Sequence, residues 1–306
     1  MTRKIEGESV TNREGKFARR AFARVAVLIV MLAISHNYGR EAFAQTPHTL
    51  TGEFRTHAKF HSKFLKTDRD VLVYLPPDYD NATNRRYPVL YLHDGQNLFD
   101  GATSFIPGME WRIDETAQSL ITSNAIEPLI VVGIYNTGKE RVEEYTPTKD
   151  ARHKVGGRAD AYGRMIVEEL KPFVDAHYRT RRDAANTGLG GSSLGGLVSL
   201  YLGLRYPKVF GKLAVVSPSV WWDNRMILRD VSALGSKPDT RIWLDTGTDE
   251  APAAVPDTRS LRDALVAKGW SVDKDLKYFE DAGAKHSEQA WAKRVEPILR
   301  FLFPAK

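Results

Sequence analysis

The segment Gly188-Leu189-Gly190-Gly191-Ser192-Ser193-Leu194-Gly195-Gly196 sets Ser193 at the centre of a G-x-S-x-G pattern, flanked by Gly191 and Gly195. A serine on a sharp strand-to-helix turn takes unfavourable backbone angles, and side-chain-free neighbours let strand and helix close around it. The turn then lifts the hydroxyl toward a substrate, and the helix start turns N–H groups and a partial positive charge on the same spot. The chemistry this suits is nucleophilic attack on an acyl carbon. Ser192 is the competing nucleophile, but it would need glycine at position 194, where leucine stands. A phosphate-binding loop would require a lysine that the segment lacks.

A serine nucleophile needs a base, and in this arrangement the chain order is serine, acid, histidine. His286 is the sole histidine after Ser193 and lies in a loop before a C-terminal helical stretch. The acid that orients the imidazole should follow the strand near Arg241–Leu244, with Asp245, Asp249 and Glu250 as candidates. Asp245 comes early at the strand end; Glu250 is the favoured acid and Asp249 the alternative. An oxyanion hole would combine the backbone N–H of Leu194 with that of Gln96 in the loop His93-Asp94-Gly95-Gln96-Asn97, where Gly95 allows a tight turn. Each such donor is worth about 3 kcal/mol of barrier. His93 and Asp94, two adjacent loop residues, are not a ligand set, so no metal is expected. Trp221 and Trp222 could present flat rings to a substrate. Arg141, with Glu143, Glu144 and Tyr145, could line the cleft, where a cation would suit an anionic group.

Positioning these groups requires an α/β fold, and from residue 50 strand-like and helix-like segments alternate. Strands are expected at 52–60, 69–75, 87–93, 129–135, 186–190, 212–216, 240–245 and 275–279, the first two as an antiparallel pair. The runs YPVLYLH and LIVVGIY are apolar throughout, as strands buried on both faces are. Helices are expected at 110–123, 161–177, 194–206, 260–268 and 287–302. In 194–206, Leu197, Leu200, Tyr201 and Leu204 fall on one face as core. No repeat or linker divides residues 45–306, which read as a single domain.

The string from Tyr178 to Trp222, with its Gly188–Leu197 turn, Arg205-Tyr206-Pro207 and Ser217-Pro218-Ser219-Val220-Trp221-Trp222, resembles the putative-esterase family of α/β-hydrolases. So do Tyr91-Leu92-His93-Asp94-Gly95-Gln96-Asn97 and Glu144-Tyr145-Thr146-Pro147. That family includes enterochelin, feruloyl and acetyl-xylan esterases, S-formylglutathione hydrolases and mycolyltransferases. The resemblance implies an α/β-hydrolase fold, a mostly parallel eight-stranded sheet flanked by helices, and a Ser-acid-His serine esterase with no metal or organic cofactor. Its motif falls on Ser193, His286 and the Asp249/Glu250 loop, and its oxyanion loop on Asp94-Gly95-Gln96. The compact form resembles the periplasmic siderophore esterases, some of which work with a Ser-His pair. An acyltransferase using the same acyl-enzyme is the alternative, and a non-catalytic binding protein a third reading.

The front of the chain reads as an address. A polar lead ends in Arg19, Arg20 and Arg24, and the apolar stretch 25–34 is shorter than the roughly 20 residues of a membrane span. Ala42-Phe43-Ala44 then offers a signal-peptidase site, giving a leader at 1–44 and an exported, periplasmic or secreted product. Arg19-Arg20-Ala21-Phe22 also resembles a twin-arginine signal. Eight Lys/Arg and four Asp/Glu lie in 1–44, so only +2 of the formal +6 remains in the body. No basic stripe suggests a nucleic-acid partner, and no membrane partner is expected once the leader is removed. The expected partner is a small-molecule ester. With no cysteine in its 306 residues the chain has no disulfide, thiolate metal site or cysteine nucleophile.

Overall fold

The computed structural model describes residues 47–305, so the expected leader lies outside the described residues. Eight strands form one sheet: β1 (Glu53–Phe60), β2 (Arg69–Leu75), β3 (Val89–His93), β4 (Ile130–Ile134), β5 (Thr187–Ser192), β6 (Lys212–Val216), β7 (Arg241–Gly247) and β8 (Leu276–Asp281). Their order is β1-β2-β4-β3-β5-β6-β7-β8. β1–β2 and β2–β4 pair antiparallel, and all later pairs are parallel.

The apolar runs divide cleanly between the two faces. Val71, Val73, Val89, Tyr91, Ile130, Val132, Leu213, Val215, Ile242 and Leu244 enter one core, while Leu72, Tyr74, Leu90, Leu92, Val131, Ala214, Val216 and Trp243 enter the other. The inner strands β2, β3, β4, β6 and β7 therefore need side chains that leave water in both directions, at about 1.5–3 kcal/mol per buried aliphatic or aromatic residue. The first face is covered by α3 (Ala159–Arg164), α4 (Lys171–His177), α5 (Leu194–Arg205), α6 (Trp222–Ala233) and α7 (Ala254–Ala267). The second is covered by α1 (Ile113–Thr122), α8 (Glu288–Ala292) and α9 (Val295–Leu302). A short α2 (Arg141–Glu144) follows β4, and a π-helical stretch Met165–Leu170 joins α3 to α4. Among the described residues no helix is long and apolar enough to cross a membrane.

Several helical expectations change: α7 begins at Ala254 and not at 260, and the expected helix 161–177 is α3, the π-helical stretch and α4. The expected helix 287–302 is two helices, because Pro297 has no N–H to give to the carbonyl four residues back and can stand only in the first turn of a new helix. α6 was not expected, although Met226, Ile227 and Val231 are buried at helical spacing; Asp223, Asn224 and Arg225 are left-handed at φ 42, 54 and 58, so its regular turns follow that kink and Trp222 lies before it. α5 is not one-sided: every residue from Leu194 to Leu200 is buried, and a Cβ on Gly203 would come within 2.4 Å of Leu213.

The topology puts the chemistry on one edge. β3 lies between β4 and β5, so the chain reverses direction there, and the ends of β3 and β5 flank the crevice where open α/β sheets bind ligands. Leu92 pairs with Gly190, Ser192 with Val216, Val216 with Asp245, and Gly247 with Asp281. The loops carrying residues 94–97, 193, 217–219, 250 and 286 thus leave from the same side of the sheet.

Candidate active site

Ser193 stands between β5 and α5 with φ 58 and ψ −121, a conformation that L-residues avoid and that costs on the order of 1–3 kcal/mol. The surroundings impose it. The Ser193 N–H donates to the Val216 carbonyl at 3.0 Å, and the Ser193 carbonyl accepts from Ser219 N–H at 3.0 Å and Leu197 N–H at 3.1 Å. Space for a Cβ is tight at one of the pattern's two glycines, Gly191, and at Gly196 beyond the pattern. A Cβ on Gly191 would lie 3.1 Å from His93 and 3.3 Å from Gly195, and one on Gly196 only 2.8 Å from the Val216 carbonyl oxygen. At Gly195 a Cβ would make ordinary contacts of 3.4 Å and beyond. The Ser193 hydroxyl lies 3.3 Å from the hydroxyl of Ser219, a neighbour the sequence did not single out. Among the described residues no hydrogen bond joins Ser193 to His286.

The histidine and the acid do meet. His286 Nδ1 lies 2.8 Å from Glu250 Oε2; a carboxylate accepts, so Nδ1 carries the proton and Nε2 is left open. The imidazole packs edge-on against Trp291, with ring centroids 4.9 Å apart, and its side chain keeps 41% exposure while that of Glu250 keeps 3%. Burial pushes the Glu250 carboxyl up, but hydrogen bonds from His286, Ser217 and the Gly247 N–H outweigh it and hold the group below its ordinary 4.5. Gly247 is obligatory here, since a Cβ would fall 2.2 Å from the Ala284 carbonyl oxygen and 2.9 Å from Glu250 Oε1. Asp249 is exposed and ties the loop through its backbone N–H to Ala284. Asp245 is fully buried and faces Arg294 and Trp243.

Residues 216–219, just after β6, couple the two halves. Val216 and Ser219 hold the Ser193 backbone, and the Ser217 hydroxyl donates to Glu250 Oε1 at 2.6 Å. The serine turn and the histidine–acid pair therefore hang from one four-residue bracket.

On the other side, the turn after β3 is made by Asp94, left-handed at φ 58, and not by Gly95 as the sequence suggested. Gly95 is needed for space, because a Cβ would fall 2.7 Å from both Gly133 and Tyr135. Asp94 takes two hydrogen bonds from Arg141, at 2.8 and 2.7 Å, and one from Asn136 at 2.7 Å. Burial pushes its carboxyl up, but the Arg141 guanidinium and Asn136 hold it below its ordinary value. Its N–H donates to the buried Tyr145 hydroxyl at 3.2 Å. Gln96 follows within the helical turn Gly95–Asn97, whose end is tied to the loop beyond: Asn97 Oδ1 accepts from Phe105 N–H at 2.9 Å. Burial pushes His93 down to about 3, so it stays neutral beside the Tyr162 hydroxyl, 2.8 Å away.

The cleft-lining expectations need correction. Trp222 is buried at 3% exposure just before the left-handed run 223–225, its Nε1–H bonded to the Thr148 carbonyl at 3.0 Å. Trp221, at 51%, is the exposed ring. Arg141 is not a free cation, since its fork is engaged by Asp94. Glu144 is buried in a two-bond ion pair with Arg69, at 2.9 and 3.0 Å, and Tyr145 is buried as well. Among the described residues no group of three or more His, Asp or Glu could hold a metal ion.

Comparison with known proteins agrees with this architecture. Residues 62–302 match the family model described as "Putative esterase". The chain is 27% identical over 249 residues to an uncharacterized protein, YbbA, of Bacillus subtilis (strain 168), an alignment covering 77% of this chain and 93% of that one. It is 36% identical over 241 residues to the iron(III) enterobactin esterase of Escherichia coli O6:H1, covering 75% of this chain and 52% of that protein, about half its length. The crystal structure of the BES protein from Bacillus cereus superposes with a TM-score of 0.66 at 23% identity, covering 83% of this chain and 96% of that one. The chain belongs to this esterase family of α/β-hydrolases and is a carboxylic ester hydrolase.

Proposed function

We propose that hydrolysis runs through an acyl-enzyme on Ser193, with His286 as general base and Glu250 as its acid. The observation that carries this reading is the bracket 216–219, which binds the strained Ser193 backbone and, through Ser217, the Glu250–His286 pair. In this reading Nε2, left open by the Glu250 bond on Nδ1, closes on the Ser193 hydroxyl when substrate binds, as catalytic hydrogen bonds often tighten only in the complex. Nε2 then takes the Ser193 proton as Oγ attacks the ester carbonyl, and the new oxyanion meets the N–H groups of Leu194 and Gln96. The imidazolium returns the proton to the leaving alkoxide as the C–O bond breaks. Water repeats the sequence on the acyl-enzyme, His286 taking its proton, and releases the acid with Ser193 restored.

For this exported enzyme, the substrate we propose is a small ester bearing an aromatic ring, of siderophore or feruloyl type. The exposed Trp221, two residues beyond the Ser219 hydroxyl that touches Ser193, supports it, as does the enterobactin esterase relative. Export rests on the leader-like residues 1–44. A fluorophosphonate should label the protein, and Ser193→Ala should abolish both labelling and turnover of p-nitrophenyl esters. Labelling that persists in Ser193→Ala would remove this serine from the mechanism. Ranking enterobactin-type, feruloyl, acetyl-sugar and simple alkyl esters by kcat/KM then tests the substrate class, and a preference for alkyl esters would overturn it.

A further inference from the structure

Behind Glu250 lies a buried polar network that the steps above do not use. Ser217, one residue past β6, is held at φ 41 with its N–H donating to Asp245 Oδ1 at 3.0 Å. Its hydroxyl has three polar neighbours: Glu250 Oε1 at 2.6 Å, Trp291 Nε1 at 3.1 Å and Arg294 Nη1 at 3.0 Å. Indole and guanidinium N–H groups only donate, so they occupy the two lone pairs of the hydroxyl. Its single proton has one place left to go, which is Glu250. Arg294, 1% exposed, is itself oriented by Asp245 Oδ1 at 2.7 Å and Asp281 Oδ2 at 3.0 Å, and its Nη2 stands 3.7 Å from Glu250 Oε1.

We infer that Ser217 and Arg294 are positioning residues for the base: Arg294 locks the Ser217 hydroxyl onto Glu250 Oε1, leaving Oε2 to His286 and tempering the negative charge that the imidazole feels. The inference rests on the Ser193–His286–Glu250 reading and extends it inward. The charged and titratable groups around Glu250 are His286 from the loop after β8 and Arg294 from the start of α9; behind Arg294 stand Asp245 of β7 and Asp281 of β8. Three carboxylates thus share one guanidinium, so the site carries excess negative charge. A hydrogen bond into Glu250 offsets part of it. Without that bond Glu250 binds the imidazolium more strongly, and the imidazole gives up its proton only at higher pH.

Ser217→Ala removes the hydroxyl, and Ser217→Gly removes it while suiting the positive φ, so a loss common to both belongs to the hydroxyl and not to backbone strain. Both should lower kcat about tenfold with little change in KM, and move the acidic limb of the kcat/KM profile upward by about half a pH unit. Arg294→Lys, which keeps the charge but loses the fork, should move the limb in the same direction by less. In a Glu250→Gln background Ser217→Gly should cost less than about twofold, because the group it acts through is gone. An unmoved limb, or the full tenfold loss repeated in that background, would overturn the inference. Fluorophosphonate labelling separates the two levels: a labelled wild type with an unmoved limb defeats this inference alone, whereas an unlabelled wild type defeats the serine reading beneath it.

Discussion

On the β3 side of the edge, Asp94 is locked by Arg141, Asn136 and Tyr145 in a left-handed turn, and beneath it the neutral His93 and Tyr162 are fully buried. On the β6–β8 side, Glu250 sits on Ser217 and Arg294 but hands its other oxygen to an imidazole that is two-fifths exposed. The first side keeps its charges constant and holds backbone N–H groups in place. The second must gain and lose a proton on His286 in each turnover of the proposed mechanism, so it pairs a buried acid with a partly solvated base. The difference teaches that burial serves two ends at one site: one network fixes geometry, the other sets proton affinity. Mutations in the first should change rate without moving the pH profile, and mutations in the second should do both.

The largest effect expected is on the second side. Glu250→Gln keeps the shape but loses the charge and the acceptor that fix the His286 tautomer, and kcat should fall by about 10³–10⁴-fold. Asp249→Asn, at an exposed carboxylate with no role in holding His286, should change kcat by less than about twofold. Equal losses from the two, measured on one p-nitrophenyl ester, would move the acid assignment away from Glu250.

Next comes the first side. Arg141→Met strands the Asp94 carboxylate and frees the turn that carries Gln96, at a stability cost of about 2–3 kcal/mol given that Arg141 keeps some exposure. With donor placement degraded, kcat should drop about 10–100-fold while the acidic limb of kcat/KM stays where it was. A limb that moves with Arg141→Met would erase the distinction between the two sides.

How far this was legible in sequence differs in the same way. The strands were readable because parallel strands with both faces buried must be apolar throughout, and each observed strand overlaps an expected one to within two residues at its start. The serine turn was readable because glycine spacing is a local requirement, yet of Gly191, Gly195 and Gly196 the tightest is Gly196, whose limit is set by Val216 across the bracket. Glu250 was favoured over Asp249 with the alternative left open, because what distinguishes them is the reach of a loop cinched by Gly247 against Ala284. Ser217, Ser219 and Arg294 carried no signal of their own: a serine after a strand looks like a turn residue, and an arginine in a C-terminal helix looks like a solvated face. Pro297 was the one available clue, since a helix that must restart there puts Arg294 at its start, where the side chain turns back under the sheet edge. Trp222 was misjudged for the opposite reason. Its aromatic type suggested a ligand, while the structure buries it just ahead of the left-handed run 223–225, a kink that no spacing in the sequence announces.

The two adjacent tryptophans offer the smallest and most specific test. Trp221 lies outside both networks with half its surface free, and Trp222 fills the core beneath it, the two rings 5.6 Å apart between centroids. Trp221→Ala should therefore leave stability and kcat nearly unchanged and raise KM about three- to tenfold for an ester with an aromatic ring, since a lost stacking contact is worth about 0.5–1.5 kcal/mol. KM for a short alkyl ester should hardly move, because there is no second ring to stack. Trp222→Ala should do the reverse, costing about 3–5 kcal/mol of stability as a core cavity opens, with substrate preference altered only as far as the fold yields. If Trp221→Ala raised KM equally for aromatic and alkyl esters, the ring would be acting as a general apolar wall, and neither side of the edge would then be reading the substrate's aromatic group.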